Sequence, residues 1–193
     1  MILKRLLNSQ VLNLIKEFKR KHENIWDIAI YGSLIRGKIN ARDLDLAIIF
    51  TKANLNERLE LAQELKQKLK KTHYNVDTKG IGLNDLLDKN FLARQAIISE
   101  GYLIARKKKL CELFGFGPYY IFSYSLKNLS QSKKIMFQYA LKGRRGQKGI
   151  LELKGLEHLG SGVIKVPLEN SEEFKEFLEK NNIIYQIYKG LFY

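Results

Sequence analysis

The stretch that decides the fold reads Ile28-Ala29-Ile30-Tyr31-Gly32-Ser33-Leu34-Ile35-Arg36-Gly37 and resumes as Arg42-Asp43-Leu44-Asp45-Leu46-Ala47-Ile48-Ile49-Phe50. An apolar run that stops at a glycine reads as a strand ending in a tight turn, where the missing Cβ lets backbone approach a ligand. Ser33 is then placed to open a helix whose free N–H groups form an anion site, with its hydroxyl as one more donor. Arg36, one turn on, has two readings: a charge-assisted partner for phosphate, or an ion pair with an acid of its own domain. Asp43 and Asp45 are two apart on the next strand, so alternation points both carboxylates to one face and Leu44 and Leu46 to the other. Adjacent carboxylates repel unless a cation holds them, and oxygen-only ligation suits Mg²⁺. A phosphate-gripping helix beside a Mg²⁺-gripping strand is equipment for attack on a nucleoside triphosphate.

Working outward, residues 8 to 22 read as a helix with Asn8 or Ser9 as N-cap. Residues 26 to 31 and 43 to 50 read as strands. Residues 55 to 71 read as an amphipathic helix marked by Leu59, Leu61, Leu65 and Leu69. Residues 73 to 79 read as a third strand and residues 83 to 101 as a helix ending at Gly101. This order predicts an α/β (α+β) unit: a small mixed sheet with flanking helices. The basic, amphipathic N-terminus also fits a presequence, but the helical spacing of Val11, Leu12, Ile15 and Phe18 favours a first helix of the fold.

The chain has 193 residues, 45% of them hydrophobic, enough to bury a core. Lys and Arg number 34 against 20 Asp and Glu, a net charge of +14 that favours polyanionic partners. Cys111 is the only cysteine, which excludes an intrachain disulfide and a cysteine zinc site and suits a reducing, cytoplasmic setting. No apolar stretch approaches the roughly 20 residues that span a bilayer. His22, His73 and His158 set up no metal-ligand spacing.

At Arg106-Lys107-Lys108-Lys109 the composition changes. A boundary is expected there, dividing residues 1–108 from a smaller basic α+β region at 109–193. From Arg106 to Lys148 there are eleven Lys and Arg and a single acid, Glu112. Aromatics crowd residues 111 to 140. They are either core or platforms for unpaired bases, and burial decides between them. Residues 131 to 142 and 171 to 181 read as helices, the second capped by Asn170 with Glu173 three residues on. Residues 163 to 167 read as a strand. A Gly/basic loop at 141–149 makes Lys142, Arg144, Arg145 and Lys148 candidate nucleic-acid contacts.

Gly-Ser, nine residues, then Asp-Leu-Asp-Leu resembles the signature of the DNA polymerase β nucleotidyltransferase superfamily. The fuller Gly32-Ser33-Leu34-Ile35-Arg36-Gly37 resembles its small branch, the minimal nucleotidyltransferases (MNT proteins), over about residues 8 to 105. Two positions depart from the usual pattern: Leu34 stands where Arg is common, and Arg42 where Ser is common. The resemblance implies a third carboxylate on a neighbouring strand, and Asp77 in Tyr74-Asn75-Val76-Asp77-Thr78 stands where it is expected. Read without the resemblance, Asp77 is also an ordinary strand-end acid.

By that resemblance Asp43, Asp45 and Asp77 hold Mg²⁺ or Mn²⁺, and Asp77 helps to deprotonate the attacking hydroxyl. Gly32 and Ser33 bind the β/γ phosphates of an NTP, ATP first among them, and Arg36 offsets their charge. The implied reaction is in-line attack on the α-phosphate with pyrophosphate leaving. The implied acceptors are RNA, such as tRNA, or a protein side chain. A HEPN-type partner in a toxin–antitoxin pair is implied as well. The rival expectation is an RNA- or protein-binding module with idle acids, working through the basic C-terminal region.

Overall fold

Asn8 caps α1 (Ser9–Lys21), its side chain accepting from the Gln10 amide at 2.9 Å. Val11, Leu12, Ile15 and Phe18 are all buried, while Lys19, Arg20 and Lys21 lie in the last turn, where cations suit the helix dipole. The computed structural model describes residues 7–38 and 41–193. The presequence reading falls in part on residues 1–6, outside the described residues.

The chain then runs through β1 (Ile25–Tyr31), β2 (Asp43–Phe50), α2 (Leu55–Leu69) and β3 (Asn75–Gly82). Two short strands, β4 (Tyr102–Leu103) and β5 (Lys108–Lys109), complete a sheet in the order β3-β2-β1-β4-β5. It is mixed, because β2 pairs antiparallel with β1 and parallel with β3. A parallel pair needs a crossover, and α2 supplies it. Strand β2 lies between two neighbours with its residues from Leu46 to Phe50 fully buried, which is why its sequence is a continuous apolar run. Each large apolar side chain buried this way contributes roughly 1.5–3 kcal/mol.

Two helical expectations need correction. In α2 the buried residues are Ala62, Leu65 and Leu69, and Leu59 is 56% exposed. The expected helix over 83–101 breaks into a 3₁₀ turn, Leu83–Leu86, and a short α3 (Arg94–Glu100). Asp85 accepts from the Gly82 amide at 2.9 Å and so caps the start of the turn. Past its end, Asp88 accepts from the Asn90 amide at 2.9 Å, a local bond that competes with helix.

The chain divides into two compact units, Met1–Phe116 and Gly117–Tyr193. The division falls beyond the boundary expected at 108/109. Lys108–Lys109 pair with Tyr102–Leu103, and the Cys111 thiol donates to the Ser99 carbonyl at 3.6 Å, which ties this segment to the first sheet.

The second unit contains β6 (Gly117–Ser125), α4 (Gln131–Lys142), β7 (Gly143–Arg144), β8 (Gln147–Lys148), α5 (Ile150–Lys154), β9 (Glu157–Gly160), β10 (Val163–Pro167), α6 (Ser171–Lys180) and β11 (Ile184–Phe192). Its main sheet is antiparallel in the order β11-β6-β10-β9. With α4 and α6 this is the βαββαβ pattern of ferredoxin-like folds. Tyr120, Phe122, Phe137 and Phe174 are buried, and Phe122 meets Phe174 edge-on at 5.0 Å, so these aromatics are core. Asn170 does not cap α6 with its side chain; it donates to the Lys154 carbonyl at 2.8 Å. The expected loop at 141–149 is largely the β7–β8 hairpin. Arg145 (φ 49°) and Gly146 (φ 83°) form its two-residue turn, the positive-φ pair such hairpins require.

Candidate active site

Two registers assemble the acids. In the antiparallel pair Tyr31 stands opposite Asp45, so the turn that leaves β1 at Gly32 emerges beside that carboxylate. In the parallel pair Asp45 stands opposite Asp77 and Asp43 opposite Asn75. In-register neighbours share a face, so Asp43, Asp45 and Asp77 lie on one face of the sheet. Further along that face is an apolar cluster including Ala29, Tyr31, Ala47, Ile49 and Ile97. The acids therefore sit where a buried face gives way to solvent.

Gly32 closes the approach. Its φ is +84°, and a Cβ built there would run into Asp45 Oδ2, so only glycine fits. The expected helix after Ser33 is instead a set of turns. Ile35 and Arg36 amides both donate to the Gly32 carbonyl, Gly37 to Leu34 and Lys38 to Ser33. None of these bonds uses the amides of Ser33 and Leu34. The buried side chains of Leu34 and Ile35 anchor the turn, leaving partly exposed Ser33 beside the acids.

Arg36 makes an ion pair within its own unit. Its guanidinium donates to Glu100 Oε2 at 2.7 Å, and Glu100, at the end of α3, is 1% exposed. The pair ties the turn to α3 across 64 residues of chain. Sequence reasoning missed Glu100. A lone buried acid at a helix end carries no local signal of its distant partner. Lys79 was missed as well; its ammonium donates to Asp77 Oδ2 at 2.7 Å, with Lys66 at 4.0 Å from the other oxygen. Its place two residues beyond Asp77 on the same strand, and so on the same face, was the available signal.

Burial pushes the Asp45 carboxyl above its ordinary range, and the charges of Asp77 and Asp43 add to this, while Lys79 and Arg36 pull the other way. Tyr31 is pushed up by burial first and then by Asp45 and Asp77. Burial is the larger cause of both shifts, and the neighbouring carboxylates add to it. Among the described residues no group of three or more His, Cys, Asp or Glu side chains forms a ready metal cage. The donor chemistry nonetheless fits a hard divalent cation: oxygen donors on one face of the sheet, beside the Gly32 turn.

The other expected contacts lie in the second unit. Lys142 ends α4, and Arg144, Arg145 and Lys148 are exposed on the β7–β8 hairpin. Arg144 lies over the Tyr139 ring at 4.3 Å, and Lys148 pairs with Glu152 at 2.5 Å.

A small mixed sheet carrying Gly-Ser at one strand end and Asp-x-Asp on the next defines a nucleotidyltransferase-type unit. Residues 13–110 match the family described as polymerase beta, nucleotidyltransferase, and the chain belongs to that family, whose members use an NTP and a divalent metal. Among curated proteins nothing matches. Among solved structures, the tri-AMPylated Shewanella oneidensis HEPN toxin in complex with MNT antitoxin is similar at 22% identity, over 51% of this chain and 71% of that one, with a TM-score of 0.36. The toxin–antitoxin MntA–HepT is similar at 20% identity, over 50% and 71%, with a TM-score of 0.34. Among the described residues no helix is long and apolar enough to cross a membrane.

Proposed function

We propose that the first unit transfers a nucleoside monophosphate from an NTP, ATP first among candidates, to a hydroxyl acceptor. The observation that supports this best is the double register placing Asp45 between the Gly32 turn and Asp77. Asp43 and Asp45 would hold Mg²⁺, with Mn²⁺ as substitute, and Asp77 would join them on leaving Lys79. The cation would offset phosphate charge and stabilise the oxygens that enter and leave. The Ser33 and Leu34 amides and the Ser33 hydroxyl would bind phosphate oxygens, while Arg36 would hold the turn through Glu100. In the transfer the acceptor oxygen bonds to the α-phosphorus and the bond from that phosphorus to the pyrophosphate oxygen breaks. Pyrophosphate carries away the electron pair, and Asp77 takes the hydroxyl proton.

RNA, such as tRNA, is the acceptor favoured by the net charge of +14, and exposed Lys142 at the end of α4, with Arg144, Arg145 and Lys148 of the hairpin, is proposed to hold its phosphates. A protein side chain, including one on a HEPN-type partner of a toxin–antitoxin pair, is the alternative implied by the string from Gly32 to Gly37. The test incubates the protein with each α-³²P-NTP and Mg²⁺, beside RNA in one arm and cell protein in the other. Label in RNA or in a protein band should vanish with Asp43→Asn/Asp45→Asn. Equal labelling by that double variant would refute the reading.

A further inference from the structure

The second unit has one face of its sheet packed and the other open. On β6, Tyr120 and Phe122 point into the core, so Tyr119, Ile121 and Ser123 point the other way. Register carries the open face sideways. Lys165 of β10 and Tyr188 of β11 stand opposite Ile121, and Gly190 stands opposite Tyr119. Phe192 stands opposite Gly117. Three aromatic rings thus share a face that no helix of this unit covers: α6 packs on the buried side, where Phe174 meets Phe122.

The rings are seated there. A Cβ on Gly117 would come within 2.8 Å of the Tyr119 ring, and one on Gly190 within 2.7 Å of the Phe192 ring. The two glycines therefore leave shallow places in which the rings lie against the sheet. Tyr119 and Phe192 meet edge to face at 5.9 Å. The Lys165 ammonium lies 4.5 Å from one ring centroid and 5.5 Å from the other. Tyr188 is 56% exposed, its hydroxyl donating to Gln186 Oε1 at 2.8 Å. Tyr119 and Phe192 are half-buried and Tyr188 is exposed, so part of this aromatic surface remains against water.

The net charge of the unit favours a polyanionic occupant. Residues 117–193 contain twelve Lys and Arg, seven Glu and no Asp. Five of those Glu (Glu169, Glu172, Glu173, Glu176 and Glu179) fall on α6 and the turn before it, away from the open face. Lys165 stands among the rings, with Glu157 its salt-bridge partner at 3.0 Å. Aromatic faces interleaved with a cation suit unpaired bases joined by phosphates. Topology alone would not carry this, since the fold hosts many functions.

We propose that the open face formed by Tyr119, Lys165, Tyr188 and Phe192 is a stacking platform for an unpaired nucleic-acid strand. Tyr119, Tyr188 and Phe192 stack bases and Lys165 meets phosphate. This face is separate from the β7–β8 hairpin, and the proposal is independent of nucleotidyl transfer, so its test needs neither NTP nor metal.

The test is fluorescence anisotropy of the full chain with labelled oligo-U, oligo-dT and an RNA duplex of equal length. Unpaired strands should bind more tightly than the duplex. Tyr188→Ala and Tyr119→Leu should each weaken them about 5- to 100-fold with an unchanged salt slope, and Tyr188→Phe should bind as wild type. Equal affinity for oligo-U and oligo-dT supports stacking without sugar readout. Preference for oligo-U alone supports the same platform serving RNA. Ultraviolet crosslinking of the unsubstituted chain should mark peptides of β6 and β11. Duplex binding as tight as single-strand binding, undiminished affinity in both aromatic variants, or crosslinks confined to the hairpin would overturn the proposal.

Discussion

Asp45→Asn should stabilise the chain in the absence of divalent cations and remove most of its stabilisation by them. Asp45 stands opposite Asp77, with Asp43 two residues away on its own strand. Unit charges about 5 Å apart, one strand spacing, repel by ~0.8 kcal/mol in water and about 3 kcal/mol at an effective dielectric of about 20. Asp77 is 49% exposed and bonded to Lys79, so the lower part of that range applies, about 1 kcal/mol. For a domain of this size that is about 4 °C in melting temperature. The variant should therefore melt a few degrees above wild type in EDTA at pH 7. The folded Asp45 pKa is raised, so the native state holds a proton that the unfolded chain releases. Wild type then gains stability as pH falls from the raised value toward the unfolded value of about 3.9, and the gap to the variant closes over that window. Mg²⁺ at about ten times its dissociation constant should add about 1.4 kcal/mol to wild type, and much less to the variant. Differential scanning fluorimetry with EDTA and with a Mg²⁺ titration, at pH 7 and pH 4.5, reads all three effects. A variant melting at or below wild type in EDTA, or a wild type that neither Mg²⁺ nor Mn²⁺ moves, would refute the reasoning.

Asp27 is fully buried and accepts from the amides of Ile28, Ala105 and Arg106 and from the Arg106 guanidinium at 2.9 Å. Asp27→Ala should cost about 3–5 kcal/mol in urea unfolding, more than Arg106→Ala, whose side chain is 35% exposed; equal costs would mean the backbone bonds contribute nothing. Gly32→Ala should cost roughly 1–2 kcal/mol for its left-handed backbone alone and should lower nucleotidyl transfer with no charged group removed. Transfer equal to wild type would rule out the close approach of turn and carboxylate. Arg144→Ala with Arg145→Ala should reduce the salt slope of single-strand binding by about 0.7 per lost phosphate contact, and an unchanged slope in anisotropy titrations would exclude the hairpin as a phosphate contact.

What the sequence revealed was what neighbouring residues decide. Asp43 and Asp45 share a face because strands alternate, and Gly32 ends a strand because no other residue fits its turn. What it concealed depended on distant partners. The Arg36–Glu100 pair spans 64 residues, so nothing local in the sequence marked Glu100 as the partner of Arg36. The aromatic run of β6 was unreadable for a similar reason. Gly-Pro-Tyr-Tyr-Ile-Phe-Ser-Tyr-Ser lacks polar alternation, and only pairing with β10 and β11 sorts Tyr120 and Phe122 inward from Tyr119 outward. Residues 83–101 misled because apolar spacing was helical while Asp88 holds a local bond to the Asn90 amide that competes with helix.

The reading of the site rests on register more than on composition. A slip of one residue between β2 and β3 would turn Asp77 to the opposite face and bring Val76 or Thr78 beside Asp45. Several contacts oppose that slip. Thr78 Oγ1 donates to the Ala62 carbonyl of α2 at 2.9 Å, and Val76 and Ile81 are buried on opposite faces. The Asn75 amide donates to the Arg42 carbonyl at 2.7 Å, at the mouth of the strand pair. The crossover helix therefore does more than cover the sheet. By fixing β3 through Thr78 it sets which face Asp77 presents, and with it whether two strands distant in sequence offer two carboxylates or three.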